Sequence, residues 1–507
     1  MCISAKALLI RCLRFICIFL LQIACLYVTI CIMTIDQAET IPFYSTAQVA
    51  AKAGVHRDTL LRWLREGKVP EPQRDANNWR VFTETEATAI ARRRHEGLSE
   101  QATALTAEEV GFLQGIARLK NLDWDFVGAK TDYLTHGLHP YPAKYIPQIP
   151  NALIQELSSV EETVADNFCG SGTTLVEALT LKRHAVGIDA SPIACLISEA
   201  KTTRLAEGDQ GSLLALVEKA LTTADELSNI GPQSLFQEAQ FTSMAPRPQD
   251  ESLLSWFDPF VVEELAEILS WCRTLPTPSC RTIAFVAFSA IVVAASRQDS
   301  DTRYVRRDKN LKAGDTFKKF ARSLDAALHG AVEFSELAEP RFRCRVINSS
   351  VLHSPDIGVV DAVVCSPPYP NAWSYHLYHR TRMLWLEMDQ PRFKSEEIGS
   401  HRKYSRKQPT EEKVQTFRGE MRILFEWLRS HLRQGRYAAF VIGDSIIDGT
   451  LVSNSDILAD VAAELGFREV ARIDRTIQAT KKAFNPKIGK IKEEQILVLQ
   501  NRQGITR

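Results

Sequence analysis

The stretch DNFCGSGTT at 166–174 decides the fold. TVADNF (163–168) reads as a short apolar strand, CGSG (169–172) as a tight turn, TTLVEALTLKR (173–183) as a helix and HAVGID (184–189) as a second strand. That order makes a βαβ unit with parallel strands. Gly170 and Gly172 let the backbone bend sharply and a ligand approach closely, and the free amides opening the helix favour a polar or anionic group. Asp189, fifteen residues after Thr174, ends the second strand in VGIDASP, where a carboxylate can accept two hydrogen bonds from a ribose. Turn and acid together specify a nucleoside-containing cofactor. The spacing is not GxGxxG and no GxxxxGK[ST] loop occurs, so NAD and ATP are disfavoured.

Outward from this unit, the strand and helix alternation stops at about residue 200 and resumes at DAVVCSPPY (361–369). RYAAFVIGD (436–444), a helix near 455–465, FREVARID (467–474) and EQILVLQ (494–500) follow, the last two strands forming a closing hairpin. The interval 200–340 is mostly helical by periodicity, with apolar runs such as TIAFVAFSAIVVAAS (282–296), and reads as an insertion suited to target recognition. The expected class is α/β, a parallel sheet with helices on both faces.

The second chemical element is CSPPYP at 365–370, directly after the apolar DAVV. Two prolines fix the backbone at a strand end with an aromatic ring beside it. Such a corner can take hydrogen bonds from an exocyclic amine on the Ser366 side chain and the Pro367 carbonyl, while Tyr369 stacks on a base. The plain alternative is a proline-rich turn with a core tyrosine. Its place downstream of a cofactor turn and an acidic strand end favours the chemical reading. Cys365 precedes Ser366 and reads as a buried strand residue, not the thiolate that carbon-5 methylation needs.

These motifs resemble the amino-methylating, S-adenosylmethionine-dependent DNA methyltransferases over roughly 131–200 and 345–500. DNFCGSGTT looks like their methionine-binding turn, Asp189 like their ribose-binding acid and SPPY like their catalytic tetrapeptide. HGLHPYPAKYIP (136–147) resembles the segment that closes over the cofactor in a cytosine-N4 subgroup. The resemblance implies a Rossmann-like methyltransferase sheet with S-adenosylmethionine held by Asp166, Phe168, Gly170, Ser171, Gly172, Thr173, Asp189 and Lys144. It implies catalysis by Ser366, Pro367, Pro368 and Tyr369, and no metal. Ser at the first tetrapeptide position is associated with cytosine-N4 transfer. Adenine-N6 transfer is the alternative, because both bases present a ring-conjugated amine, and a DNA-binding regulator with an inactive methylase domain is the alternative of another class.

Nearer the amino terminus, YSTAQVAAKAGVHRDTLLRWLRE (44–66) shows two short helical patterns broken by Ala53, Gly54 and Val55, and KVPEPQRDANNWRVFT (68–83) reads as a wing. The stretch resembles the winged helix-turn-helix of the MerR and excisionase-like group, with Arg57 and Arg62 on the second helix available to DNA. A small helical hairpin with a basic face is the simpler reading. The expected organisation is a leader at 1–35, a helix-turn-helix domain at 40–95, linker helices at 96–130 and a methyltransferase domain at 131–507.

The chain has 507 residues with 61 Lys plus Arg against 61 Asp plus Glu, so contact with double-stranded DNA must come from local basic patches. Those are Arg303, Arg306, Arg307, Lys309 and Lys312; His401, Arg402, Lys403, Arg406 and Lys407; and Lys481, Lys482 and Lys487. Arg402 and Lys403 are the favoured pair beside Arg57 and Arg62, and a solvated face is the simpler reading of each cluster. Of eleven cysteines five lie in the first 32 residues, and the rest show no CxxC or His/Cys spacing for zinc, so no disulfide is expected. FICIFLLQIACLYVTICIMTI (15–35) carries no charge and is long enough to span a membrane. It reads as a leader ahead of a start at Met33, giving a cytoplasmic protein, or else as an inner-membrane anchor, with a signal peptide third because no A-x-A-like site precedes the soluble part. A cognate restriction endonuclease is the expected protein partner.

Overall fold

The computed structural model describes residues 44–53, 55, 57–65, 69–74, 80–97, 106–229, 241–301, 303–370, 374–400, 408–477 and 493–503. The apolar leader, Arg402, Lys403 and the lysines at 481, 482 and 487 lie outside the described residues. The chain divides into two units, within Met1–Glu109 and Val110–Arg507.

In the first unit, strand β1 (Tyr44–Ser45) leads into helix Thr46–Lys52, whose start is fixed by a capping box between Ser45 and Gln48. Helix Arg57–Arg65 follows, then β2 (Gln73–Arg74), β3 (Arg80–Phe82) and helix Glu84–Gly97. The strands form a small antiparallel sheet in the order β1-β3-β2. Val49, Ala50, Leu60, Leu64 and Phe82 close its core, with Val55 and Leu61 packed at the margin.

The second unit contains β4 (Thr163–Asp166), β5 (His184–Asp189), β6 (Gln298–Ser300), β7 (Arg303–Arg306), β8 (Cys344–Asn348), β9 (Val360–Cys365), β10 (Leu432–Gly443), β11 (Ser445–Ile447), β12 (Thr450–Val452), β13 (Phe467–Thr476) and β14 (Glu493–Asn501). Seven of these form one sheet in the order β13-β14-β10-β9-β4-β5-β8. β14 runs antiparallel to both neighbours and the other pairings are parallel, giving a Rossmann-like α/β sheet with a mixed edge. Side chains of the central strands alternate between two cores: Ala165, Val363 and Cys365 join one, and Val164, Ala362 and Val364 the other. Burial on both faces is why AVVC (362–365) is an unbroken apolar run.

The sheet order sets the topological switch point, where open α/β sheets bind ligands. The chain enters at β4, moves outward through β5 to β8, then crosses to the other side of β4 with β9. The switch point lies between the carboxyl ends of β4 and β9, which carry the 166–172 turn and the 366–369 tetrapeptide.

Three features depart from the sequence reading. Strand β8 escaped it because CRVIN sits at the sheet edge, half-exposed, and lacks an apolar run. Residues 110–130 are not a free linker: Phe112, Ile116, Leu119 and Trp124 pack into the same core as Ile149 and Leu153. Helices Glu207–Asn229, Pro259–Arg273, Pro278–Ala295 and Asp315–Leu337 do fill the 200–340 interval, but the short β6/β7 hairpin lies within it and its core extends beyond. Met383, Trp385 and Phe393, downstream of the tetrapeptide, are part of that core, with the Trp385 ring 5.8 Å from Phe257 and 6.0 Å from Phe288. Pro278–Ala295 is apolar and long enough to cross a membrane, yet most of it is buried in protein.

Candidate active site

The turn after β4 is held by its own acids. Asp166 accepts hydrogen bonds from the Phe168 amide (3.1 Å), the Thr174 hydroxyl (2.6 Å) and the Tyr145 hydroxyl (3.3 Å). Asp189 accepts from the Gly170 amide (2.9 Å) on one oxygen and the Ser191 amide (2.8 Å) on the other. Each Asp189 oxygen therefore keeps acceptor capacity for a further donor. Burial pushes the Asp166 carboxyl up to about 7 and the Asp189 carboxyl up to about 6, against an ordinary 3.8.

Glycine is required at 172. Its φ is +74°, it caps helix Thr173–Thr180, and a Cβ there would stand 2.9 Å from Ser198 Cα. Gly170, φ +48°, lies under the Tyr141 ring, which a Cβ would meet at 3.4 Å. Both polar atoms of the Asn167 side chain and the Ser171 hydroxyl are buried without a hydrogen-bond partner. Unsatisfied donors and acceptors on both sides of such a turn fit a polar ligand that completes them. Thr173 is buried at the first helical position, and Phe168 packs at the edge of the sheet core.

The segment 136–147 reaches the turn through Tyr141 and Tyr145. Lys144 donates to the His136 carbonyl (2.8 Å), while Tyr145 bonds Asp166 and the Tyr141 ring lies over Gly170. Tyr145 hydrogen-bonds Thr174 as well as Asp166, and Tyr141 stacks on His379 (5.2 Å) and Tyr375 (6.0 Å). The segment is pinned behind by Glu177, which takes His136 (2.7 Å) and Tyr133 (2.7 Å) on one oxygen and Asn151 (2.6 Å) on the other. Tyrosines at a proline-rich loop gave no periodic signal by which to single them out.

Across the switch point, Thr174 Oγ1 lies 3.3 Å from the Val364 carbonyl, tying the 166–172 turn to the strand that delivers SPPY. Ser366 and Tyr369 are half-buried and Pro367 is buried. The Tyr369 hydroxyl reaches Glu494 Oε1 (3.2 Å) and the Val441 carbonyl (3.4 Å). Cys365 is fully buried in β9 and burial pushes its thiol up, as suits a strand residue rather than a nucleophile.

A second segment grips the tetrapeptide from behind. Gly399 has φ +72°, and a Cβ on it would stand 2.4 Å from the Tyr369 carbonyl oxygen. The Ser374 and Ser400 hydroxyls pair at 3.0 Å and the buried His376 and Glu397 at 2.6 Å, joining the chain after SPPY to this contact. Gly399 was invisible in the sequence, being one glycine in a polar stretch.

The basic patches fare unevenly. Arg57 and Arg62 are exposed on helix Arg57–Arg65 of the first unit. Arg303 and Arg307 pair with Asp299 (3.6 and 3.3 Å), Arg306 bonds Ser255 and lies over the Trp256 ring, and Lys309 donates to the Val293 carbonyl. That cluster is largely engaged within the fold. Among the described residues no group of three or more side chains could hold a metal ion.

Residues 66–200 match a family model described as DNA methylase, and residues 45–82 a model described as MerR family regulatory protein. The chain is 35% identical over 124 residues to the type II methyltransferase M.MjaII of Methanocaldococcus jannaschii, covering 23% of each chain. It is 25% identical over 283 residues to the type II methyltransferase M.MvaI of Kocuria varians, covering 52% of this chain and 60% of that protein. The chain thus spans less than two thirds of either curated relative. Among solved structures, TrmN from Thermus thermophilus aligns over 91% of this chain and 80% of its own at 10% identity, with a TM-score of 0.29.

Proposed function

We propose that the chain is a DNA amino-methyltransferase of the type II kind, using S-adenosylmethionine and acting on the N4 amine of cytosine in duplex DNA. The observation that carries the reading is the junction of two motifs at one switch point: the turn bonded to Asp166 and Asp189, and the SPPY corner tied to it through Thr174. The DNA methylase match over residues 66–200 and the similarity to two type II methyltransferases support it. The choice of cytosine rests on Ser366 and on the likeness of residues 136–147 to a cytosine-N4 segment.

Asn167, Ser171 and the amides of the turn would hold the amino-acid end of the cofactor, and Asp189 its ribose hydroxyls. When bound, S-adenosylmethionine supplies an electrophilic methyl group. The Ser366 side chain and the Pro367 carbonyl accept hydrogen bonds from the target amine, leaving its nitrogen lone pair aimed at that methyl, and Tyr369 stacks on the base rotated out of the duplex. The buried Cys365 thiol is poorly suited to a covalent route. Arg57 and Arg62 of the first unit, with Arg402 and Lys403, would add phosphate contacts. A cytoplasmic location and a cognate restriction endonuclease belong to the same proposal.

The test is transfer of labelled methyl from S-adenosylmethionine to unmethylated duplex DNA. Transfer that is lost in Ser366→Ala and in Asp189→Ala supports the reading. Cofactor binding without transfer to DNA would redirect it to the regulatory alternative.

A further inference from the structure

The Tyr369 hydroxyl is anchored to the last strand of the sheet, and the Ser366 side chain also hydrogen-bonds it. Glu494 opens β14 and receives the phenol on Oε1 at 3.2 Å. Its other oxygen receives Arg475 at 2.6 Å, and Arg475 is the cross-strand partner of Glu494 in the β13/β14 ladder. Arg475 is itself buried, and its Nε donates to the Trp124 carbonyl at 3.2 Å. Opposite, Glu494 pairs in register with Gly443 at the carboxyl end of β10, so the carboxylate sits on the edge of the sheet where SPPY emerges. The result is a line of bonded groups running from the backbone at 124 through Arg475 and Glu494 to the catalytic ring.

We infer that Glu494 is a positioning residue: it fixes the Tyr369 ring, through its hydroxyl, in the orientation that stacks on the extruded base. This rests on the reading of Tyr369 as the stacking residue. A tyrosine ring can turn about two side-chain bonds; a hydrogen bond at the phenol oxygen fixes the first by holding that oxygen in place, and the second because the phenol O–H lies in the ring plane and so favours ring planes that contain the acceptor. The phenol is the donor, because burial and the adjacent Glu494 charge hold it well above its ordinary range and keep it protonated. Arg475 balances the carboxylate, so Glu494 stays an acceptor with one oxygen committed to each partner. Sequence gives no hint of this arrangement, since Glu494 reads as a polar residue at the start of a strand, 125 residues beyond the tyrosine.

A double-mutant cycle on the full chain tests it, with single-turnover methyl transfer and equilibrium cofactor binding as readouts. Glu494→Ala and Tyr369→Phe are each expected to slow transfer by about tenfold, part of the worth of a base–aromatic stack, with cofactor affinity unchanged. Combined, they should be no slower than Tyr369→Phe alone, because the hydroxyl through which Glu494 acts is already gone. Glu494→Gln, which keeps an acceptor for the phenol, should recover part of the rate. A double variant slowed by the product of the two single effects would overturn the inference, as would full activity in Glu494→Ala. Fluorine NMR of 3-fluorotyrosine at position 369 reads the contact without any activity: the resonance should shift in Glu494→Ala, and an unmoved resonance overturns the inference. Wild-type protein that transfers no methyl to DNA but shows that shift would defeat the functional reading and leave the Glu494 to Tyr369 contact standing.

Discussion

The Gly170 amide donates to the Asp189 carboxylate at 2.9 Å, so the turn that follows β4 and the acid that ends β5 are one bonded unit. The two are therefore coupled, and a change in the protonation or position of either is felt by the other.

Cofactor affinity should depend on pH through Asp189. Its carboxyl, raised to about 6 by burial, must be ionised to accept from ribose hydroxyls, so affinity should rise as pH increases from 5 to 7. Calorimetric titration across that range checks this. Asp189→Asn should bind weakly at every pH with the rise abolished, and an unchanged pH profile in that variant would remove Asp189 from the site.

Stability of the cofactor-free protein should run the other way. The folded-state value of Asp166, about 7, lies above the ordinary 3.8, so folding strengthens proton binding there. The stability this confers is complete below about pH 4 and is lost as pH rises through about 7. Asp166→Asn should flatten that decline in thermal unfolding between pH 5 and 8.

Gly172→Ala puts a methyl group 2.9 Å from Ser198 Cα at a left-handed backbone position. A loss of about 1–3 kcal/mol in unfolding free energy is expected, with cofactor affinity falling in parallel as the helix Thr173–Thr180 is displaced. Denaturant titration and cofactor binding on the same preparation measure both.

Gly399→Ala acts on the other half of the site. A Cβ 2.4 Å from the Tyr369 carbonyl must shift the SPPY backbone, and misplacement of that order slows chemistry by about ten- to a hundredfold. The expected signature is a fall in kcat with cofactor affinity retained. Loss of both together would mean that the contact is merely structural.

The legible part of the fold was the part under the strongest physical constraint. Strands β4, β5 and β9 are buried on both faces and so carry apolar residues through their middles, and the turn between β4 and the next helix admits only glycine at its tightest point. Edge strand β8 and the hairpins β6/β7 and β11/β12 obey weaker rules, because half-exposed strands tolerate charge and polarity. The same division holds at the site. Asp189 and SPPY are marked by their place after apolar strands, whereas Tyr141, Tyr145, Gly399 and Glu494 gain their roles only when distant segments meet.

The central claim is tested most directly by incubating the purified protein with S-adenosylmethionine and unmethylated duplex DNA, digesting to nucleosides and identifying the product by mass spectrometry. The account predicts N4-methylcytosine, absent when Ser366 is replaced by Ala. N6-methyladenine would contradict the assignment of the base, and no methylated nucleoside in the presence of measured cofactor binding would contradict the proposed activity.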